Sequence, residues 1–314
     1  MKSLKHYYIV LRRKIIRPIL LNNKLSYFLS KHCLKMYLAM FYENWTGRML
    51  NYRKPEDFNQ YLMKLSWINS RDKKMHKLIP QCVDKYAVRE YITSKGYADT
   101  LNELYGVYDN VEDIDFDSLP YQFVMKMNNA CGRNYICLDK SACNWNEVKK
   151  MFAEWLTEVD LGWTTGEWQY ALIKPRIIIE KYLKDLGETS LIDYKIHVIK
   201  GKCRNILVCY NREFATAEKQ GTVSLDNYSL EWERTDDILS TCHPKRQIVQ
   251  KPKQLDKMLQ MAADCSKEFA YCRFDLYEID GNIVFGEMTF TPHGNVLDYY
   301  SDDYLKRMND LCKE

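Results

Sequence analysis

Two acids set into strand-like sequence constrain this chain more than any other feature. Residues 271–295 read YCRFDLYEIDGNIVFGEMTFTPHGN. Two alternating runs flank Asp280, Gly281 and Asn282, which is the pattern of a β-hairpin. On the first strand Cys272, Phe274 and Leu276 face one way; Arg273, Asp275 and Tyr277 face the other. The second strand carries Glu287 and Thr289 on one face, Val284 and Met288 on the opposite one. Burying Asp275 and Glu287 side by side is costly unless a cation or hydrogen-bond donors compensate them. A hard divalent cation such as Mg²⁺ takes such oxygen ligands and keeps water for substrate phosphates. A solvated edge hairpin with surface acids is the plainer reading. Register separates the two. A two-residue Asp-Gly loop pairs Asp275 with Gly286 and turns Glu287 away. A three-residue loop, 280–282, pairs Asp275 with Glu287. The metal reading therefore requires the odd-length loop or a bulge.

The chain has 314 residues, enough for about two domains. Its 46% apolar and 28% charged residues suit a soluble protein, and 24 Tyr favour a packed chain over disorder. Eleven scattered Cys, none in a C-x-x-C pair, point to a reduced cytosolic protein with neither a disulfide framework nor a zinc site. The net charge of +4 is unevenly placed, because residues 1–40 hold nine Lys/Arg and no acid. No apolar run approaches the ~20 residues that span a bilayer. The run 7–11 is stopped by Arg12, Arg13 and Lys14, against a secretory signal. Two readings of the N-terminus remain. One is peripheral contact with an anionic membrane face through Arg12, Arg13, Lys14 and Arg17, with Ile15, Ile16, Ile19 and Leu20 as the apolar side. The other packs those apolar residues against the helices that carry Trp45 and Trp67. The expected location is cytoplasmic, with the membrane's inner face as the site of any attachment. No nucleic-acid partner is expected, and nothing specifies an oligomeric state.

Along the chain, residues 5–50 read as helical, and a second helix runs through Leu62, Leu65 and Trp67. A third is expected over 84–94 with Asp84 as N-cap. Residues 104–108 form a short strand, and 112–117 an acidic linker. A strand over 122–127 carries Lys126. It leads into the loop 128–134, with Asn129 and Gly132, and a strand over 135–138. Small residues in such a loop let backbone N–H groups approach a phosphate, although Gly-Lys-Ser/Thr is absent. A helix covers 146–158, and a strand over 176–183 carries Glu180. Residues 192–200 alternate, with Asp193, Lys195 and His197 on one face, and pair with 203–210. Arg212 lies just past that strand. Residues 213–250 read as irregular. Helices cover 253–269 and 302–312.

Lysines suited to phosphates and acids suited to magnesium, set inside apolar strands, together resemble a nucleotide site. The sequence at this point resembles the TupA-like ATP-grasp proteins. The resemblance is carried by DKYAVREY (84–91), LPYQFVMKMN (119–128), GEWQYALIKPRIIIEKYL (166–183), DYKIHVIKGK (193–202) and RFDLYEIDGNIVFGEMTFTP (273–292). It implies an α+β ATP-grasp fold, two lobes enclosing ATP, with an N-terminal helical extension. The divisions expected are 1–75, the basic helical region; 76–118, a reduced N-terminal subdomain; 119–183, the nucleotide-clamping lobe; and 184–314, the lobe with the metal site. ATP and Mg²⁺ are the implied cofactors. By position, Lys126 resembles the first-lobe phosphate lysine, with Asn129 and Gly132 in the loop over the phosphates. Glu180, Tyr182 and Leu183 resemble the adenine-reading hinge. Lys195 resembles a second nucleotide lysine beside Asp193. Asp275, Glu287 and Thr289 resemble metal ligands, Thr289 standing where the family generally has Asn. Arg212 reads either as a stabiliser of an acyl-phosphate or as a surface arginine.

The implied activity is carboxylate–amine ligation through an acyl-phosphate. The partners would be a small-molecule or saccharide carboxylate and an amino-acid amine, in cell-surface polysaccharide or peptide-polymer assembly. Rival readings are a saccharide kinase on the same ATP site, a nucleotide-binding scaffold without turnover, and a glycosyltransferase using Asp113, Asp115 and Asp117.

Overall fold

A computed structural model describes residues 4–158, 161–184, 191–213, 221–235, 238–239 and 249–313. The chain opens with three helices, α1 (Leu4–Leu21), α2 (Asn23–His32) and α3 (Leu34–Thr46). Asn22 caps α2 by accepting from the Lys24 and Leu25 amides. Next come α4 (Phe58–Asn69), α5 (Met75–Val83) and α6 (Val88–Ser94). Asp84 does not cap α6. Its carboxylate accepts from the Tyr86 and Ala87 amides at 2.8 and 3.2 Å, so it caps the turn between α5 and α6.

Two antiparallel sheets follow. The first has the order β1-β4-β2-β3, from β1 (Leu104–Tyr108), β2 (Phe123–Met127), β3 (Asn134–Cys137) and β4 (Ile177–Lys181). Helix α7 (Trp145–Leu156) packs Val148 and Phe152 into its core with Phe123, Met125 and Ile179. A short helix, α8 (Leu161–Thr165), precedes β4. The second sheet has the order β7-β6-β5-β8-β9. Its strands are β5 (Asp193–Ile199), β6 (Lys202–Glu213), β7 (Thr222–Tyr228), β8 (Tyr271–Ile279) and β9 (Asn282–Thr289). Helix α9 (Leu255–Ser266) covers it with Met258, Met261 and Cys265 against Ile196, Val198 and Phe274. Helix α10 (Asp302–Leu311) ends the chain.

Strand β7 corrects the expectation of irregular chain over 213–250; residues 214–220, 236–237 and 240–248 of that stretch lie outside the described residues. Its polar residues are buried and bonded across the sheet, which hid it from a hydrophobicity reading. The Tyr210 hydroxyl donates to Asp226 at 2.7 Å, and the Asn205 amide donates to Asn227 at 2.6 Å.

The N-terminal helices follow the packed one of the two readings of this region. Ile16 is buried, Ile19 and Leu20 are half-buried, and Leu20 packs against the cluster of Tyr37, Leu38 and Met63. Only Ile15 of the four supposed membrane-facing residues points outward. Arg12 turns inward as well, pairing with Glu43 at 2.8 Å. Among the described residues no helix is long and apolar enough to cross a membrane.

Candidate active site

The hairpin of β8 and β9 reaches its register by a route the sequence left open. Its loop has two residues, since Ile279 pairs with Asn282. Asp280 and Gly281 both have positive φ, 52° and 77°, as a tight two-residue hairpin turn requires. The register shifts further along: Leu276 pairs with Phe285, but Asp275 pairs with Glu287. Gly286 is therefore the extra residue of a bulge. A Cβ on Gly286 would lie 2.9 Å from the Asp275 carbonyl oxygen, so the bulge excludes a side chain there. The bulge, and not a three-residue loop, brings both acids to one face.

Strand β5 lies at the centre of the sheet and is buried along its whole length. Polar residues on such a strand must be compensated by neighbours. Lys195 pairs with Asp275 across the ladder. Its ammonium donates to Asp275 Oδ2 at 2.5 Å and lies 3.4 Å from Asp193. Arg273, two residues from Asp275 on the same face, donates to both Asp275 oxygens at 2.8 and 2.7 Å. The same guanidinium reaches Glu287 and the Thr289 hydroxyl, each at 3.1 Å. Burial alone would raise the Asp275 carboxyl; Arg273 and Lys195 override it and hold the group well below the ordinary range. Burial would likewise lower the Lys195 ammonium, but Asp193 and Asp275 raise it. Behind this row His197 is fully buried between the hydroxyls of Tyr271 and Tyr300, at 3.0 and 3.2 Å. Burial, with Arg273 nearby, pushes its imidazole down to about 3.

The first sheet supplies the facing wall. Lys126 on β2 donates to Glu180 on β4 at 2.9 Å, and Arg89 meets the other Glu180 oxygen at 3.2 Å. Between the sheets lies a cleft of about 200 Å³. Lys126, Gly132, Glu180 and Leu183 line it from one side; Asp193, Lys195, Arg212, Asp275 and Glu287 line it from the other. Arg212 donates to Asp193 at 2.9 Å, so it faces the cleft and is not a free surface arginine. Three expected site residues lie outside this lining: Asn129 and Thr289 are buried behind it, and Tyr182 is half-buried beyond the end of β4.

Sequence reasoning missed three cations here. Arg273 shares a face with Asp275, and the R-x-D spacing is the signal that was available. Lys85 lies in the 84–91 motif. Its ammonium donates to the Ala130 carbonyl at 2.6 Å and its amide to the Asn128 carbonyl at 3.1 Å, tying the loop 128–134 to the α5–α6 turn. Loss of hydration lowers the Lys85 ammonium from its ordinary value. Arg89 is the third. With Arg133 counted and Arg273, which sits behind the lining, left out, six Lys/Arg against four Asp/Glu line the cleft, an excess that favours a polyanion. Among the described residues no three His, Cys, Asp or Glu are grouped as metal ligands. An Mg²⁺ held by Asp275 and Glu287 would therefore complete its shell with phosphate and water oxygens.

Two antiparallel lobes with a cationic cleft between them, closed by an acid-bearing hairpin, define the ATP-grasp class. The family model for TupA-like ATP-grasp matches residues 63–312. The chain belongs to that family. Solved structures that the chain matches include D-alanine–D-alanine ligase from Bacillus anthracis, at 18% identity and TM-score 0.45, covering 74% of this chain and 66% of that one. D-cycloserine synthetase DcsG matches at 14% identity and TM-score 0.44, covering 81% and 78%. An L-amino acid ligase from Bacillus licheniformis matches at 13% and 0.41, covering 76% and 50%. The chain thus spans just under two thirds of the first and half of the last. A comparison with curated proteins finds no match.

Proposed function

We propose that the protein is an ATP- and Mg²⁺-dependent carboxylate–amine ligase of cell-surface polysaccharide or peptide-polymer assembly. The observation that carries this is the convergence of Lys126 and Lys195 from opposite sheets on one cleft with Asp275 and Glu287. In this reading residues 119–183 clamp the nucleotide and 184–314 carry the metal acids. Lys126, Lys195 and Lys85 meet the phosphates, with Asn129 and Gly132 shaping the loop above them. Glu180, Tyr182 and Leu183 read the adenine edge. The donor set fits Mg²⁺: the Asp275 and Glu287 carboxylates are oxygens on one hairpin facing the cleft, and the Thr289 hydroxyl behind them donates to Glu287 at 3.1 Å. Asp193, Asp275 and Glu287 are balanced by Lys195, Arg212 and Arg273, so polyphosphate charge is what makes a divalent cation favourable here. When bound, Mg²⁺ supplies charge neutralisation to the transferring phosphoryl group.

A substrate carboxylate oxygen attacks the γ-phosphorus and ADP leaves. The amine nitrogen then attacks the acyl carbon, phosphate leaves, and the nitrogen loses a proton. In this reading Arg212, which lines the cleft, stabilises oxyanion charge in both steps, while Arg273 holds Asp275 from behind. The test is an ATP assay with a panel of amino acids and uronic-acid saccharides, read by mass spectrometry. ADP, phosphate and an amide mark the ligase. ADP with a phosphorylated saccharide marks a kinase, and a sugar-nucleotide leaving group marks a glycosyltransferase. Lys126→Ala should weaken ATP binding at least about tenfold by removing a charge-assisted contact; unchanged affinity by calorimetry would overturn that assignment.

Peripheral membrane attachment belongs to the same proposal, on a face different from the one read in the sequence. The outward side of α1 exposes Val10, Leu11, Ile15 and Leu21 beside Lys14 and Arg17. Anionic liposomes should co-sediment the protein at low salt and release it at high salt. Binding that ignores lipid charge, or no binding at low salt, removes the attachment.

A further inference from the structure

A second concavity lies away from the cleft, and no part of the proposed reaction uses it. It encloses about 680 Å³, within the ~300–1,000 Å³ range of small-ligand sites. The turn between α2 and α3, the end of α4, the start of α5 and α8 surround it. Tyr52, Trp67, Trp163 and Trp168 form its aromatic walls. Lys31, Lys35 and Arg71 supply its cations, and among the described residues no Asp or Glu lines it.

The cations are held in an unusual way. The Lys35 ammonium sits 4.2 Å from the Trp67 ring centre and 5.1 Å from that of Tyr52. The Arg71 guanidinium sits 6.0 Å from Trp67. Ring contacts of this kind hold a cation in place but leave its N–H donors free to bond. Among the described residues neither Lys35 nor Arg71 forms an ion pair, and both are exposed. Trp67 and Trp163 are half-buried, so part of each indole faces the groove. Trp168 is buried and stacks on His76, with ring centres 5.3 Å apart and planes 2° from parallel.

This pairing of features selects for ligand chemistry. Fixed cations without carboxylates favour an anion. Indole faces are electron-rich and favour a surface of polarised C–H bonds. A sugar ring that carries a carboxylate offers both, since its ring oxygen and hydroxyls polarise the axial C–H bonds. We propose that the groove binds an anionic saccharide, its carboxylate on Lys35 and Arg71 and its ring faces on Trp67 and Trp163. This deepens the ligase reading by adding a site that holds a non-reacting stretch of the same anionic saccharide, and it rests on that reading only for the chemistry after binding. The groove is also tied physically to the hairpin. Residues Glu167 and Gln169, on either side of Trp168, both bond the Thr291 hydroxyl, at 2.7 and 2.8 Å. Thr291 lies two residues beyond the end of β9.

The test uses the full chain without ATP. Tetragalacturonate is titrated and followed by tryptophan fluorescence and calorimetry, beside maltotetraose, tetraglutamate and inorganic phosphate. Tetragalacturonate should bind, with affinity falling as salt rises. The double variant Lys35→Gln/Arg71→Gln should lose about tenfold or more of that affinity, with its ATP affinity within about twofold of the parent. Maltotetraose should bind at least about tenfold more weakly. Equal binding of maltotetraose, or no loss in the double variant, overturns the charged groove. Binding of tetraglutamate alone makes the occupant an acidic peptide, and full competition by phosphate makes it a phosphate site; either overturns the saccharide. Absence of any binding overturns the proposal outright. None of these outcomes bears on ATP turnover, so failure of the groove and failure of the ligase reading are separable.

Discussion

The cleft and the groove both gather cations, and they hold them in opposite ways. In the cleft Lys126 meets Glu180 at 2.9 Å, Lys195 meets Asp275 at 2.5 Å, and Arg212 meets Asp193 at 2.9 Å. Lys35 and Arg71 in the groove meet aromatic rings. The difference teaches what each region must do on binding. The cleft carboxylates Glu180, Asp193 and Asp275 are buried and each relies on a cation beside it, so removing that cation strands a buried charge. Among the described residues Lys35 and Arg71 are exposed and form no ion pair, so they cost little to remove and little to redirect toward an anion.

The most severe break should come from Lys195→Met. It leaves Asp275, about 1% exposed, and Asp193 short of a cation. Breaking a buried pair this way typically costs about 3–5 kcal/mol, read by chemical denaturation. A loss under about 1 kcal/mol would show that the cluster tolerates an unpaired carboxylate and would erase the contrast with the groove.

Acid probes the same cluster without mutation. The His197 imidazole titrates at about 3 in the fold, against an ordinary value of 6.5. Between these values the unfolded chain binds the extra proton, so stability falls as pH drops through 6.5. At about 1.4 kcal/mol per pH unit, the loss near pH 5 is about 2 kcal/mol. The Asp275 contribution disappears only at lower pH, because its folded value lies below the ordinary 3.8. Denaturation midpoints at pH 7 and 5, for the parent and for His197→Phe, check this. A slope that persists in the variant assigns the effect to another group.

Gly286→Ala tests whether the bulge sets the geometry of the acids. The added Cβ meets the Asp275 carbonyl at 2.9 Å, so backbone must shift. Such overpacking costs about 1–3 kcal/mol. It should also weaken Mg²⁺-dependent ATP binding, because Glu287 is the next residue. Lys35→Gln is expected to be the mildest, within about 0.5 kcal/mol of the parent stability. A larger loss would mean that the groove cation carries structural load after all, and the comparison would fail from that side.

Local sequence determined a good deal. Alternation in 271–289, 192–200 and 122–127 is a near-neighbour property, and it placed Lys126, Lys195, Asp275 and Glu287 on strands. The motifs carried the family resemblance, and with it the fold. Tertiary structure decided the rest, because each remaining feature depends on partners far along the chain. Lys195 and Asp275 are 80 residues apart, Arg89 and Glu180 are 91, and Lys85 and Ala130 are 45. No local pattern announces that one charge will neutralise another across such distances. Strand β7 was hidden for the same reason, since its buried Asp226 is compensated by Tyr210 and Arg234 and its buried Asn227 by Asn205 and Tyr300. The bulge at Gly286 was a choice between two local geometries of similar cost, settled by the pairing of β8 with β9 on one side and β5 on the other. The groove has no sequence signature: its rings and cations come from four separate helices and three of the segments that follow them, and only their packing makes them one surface.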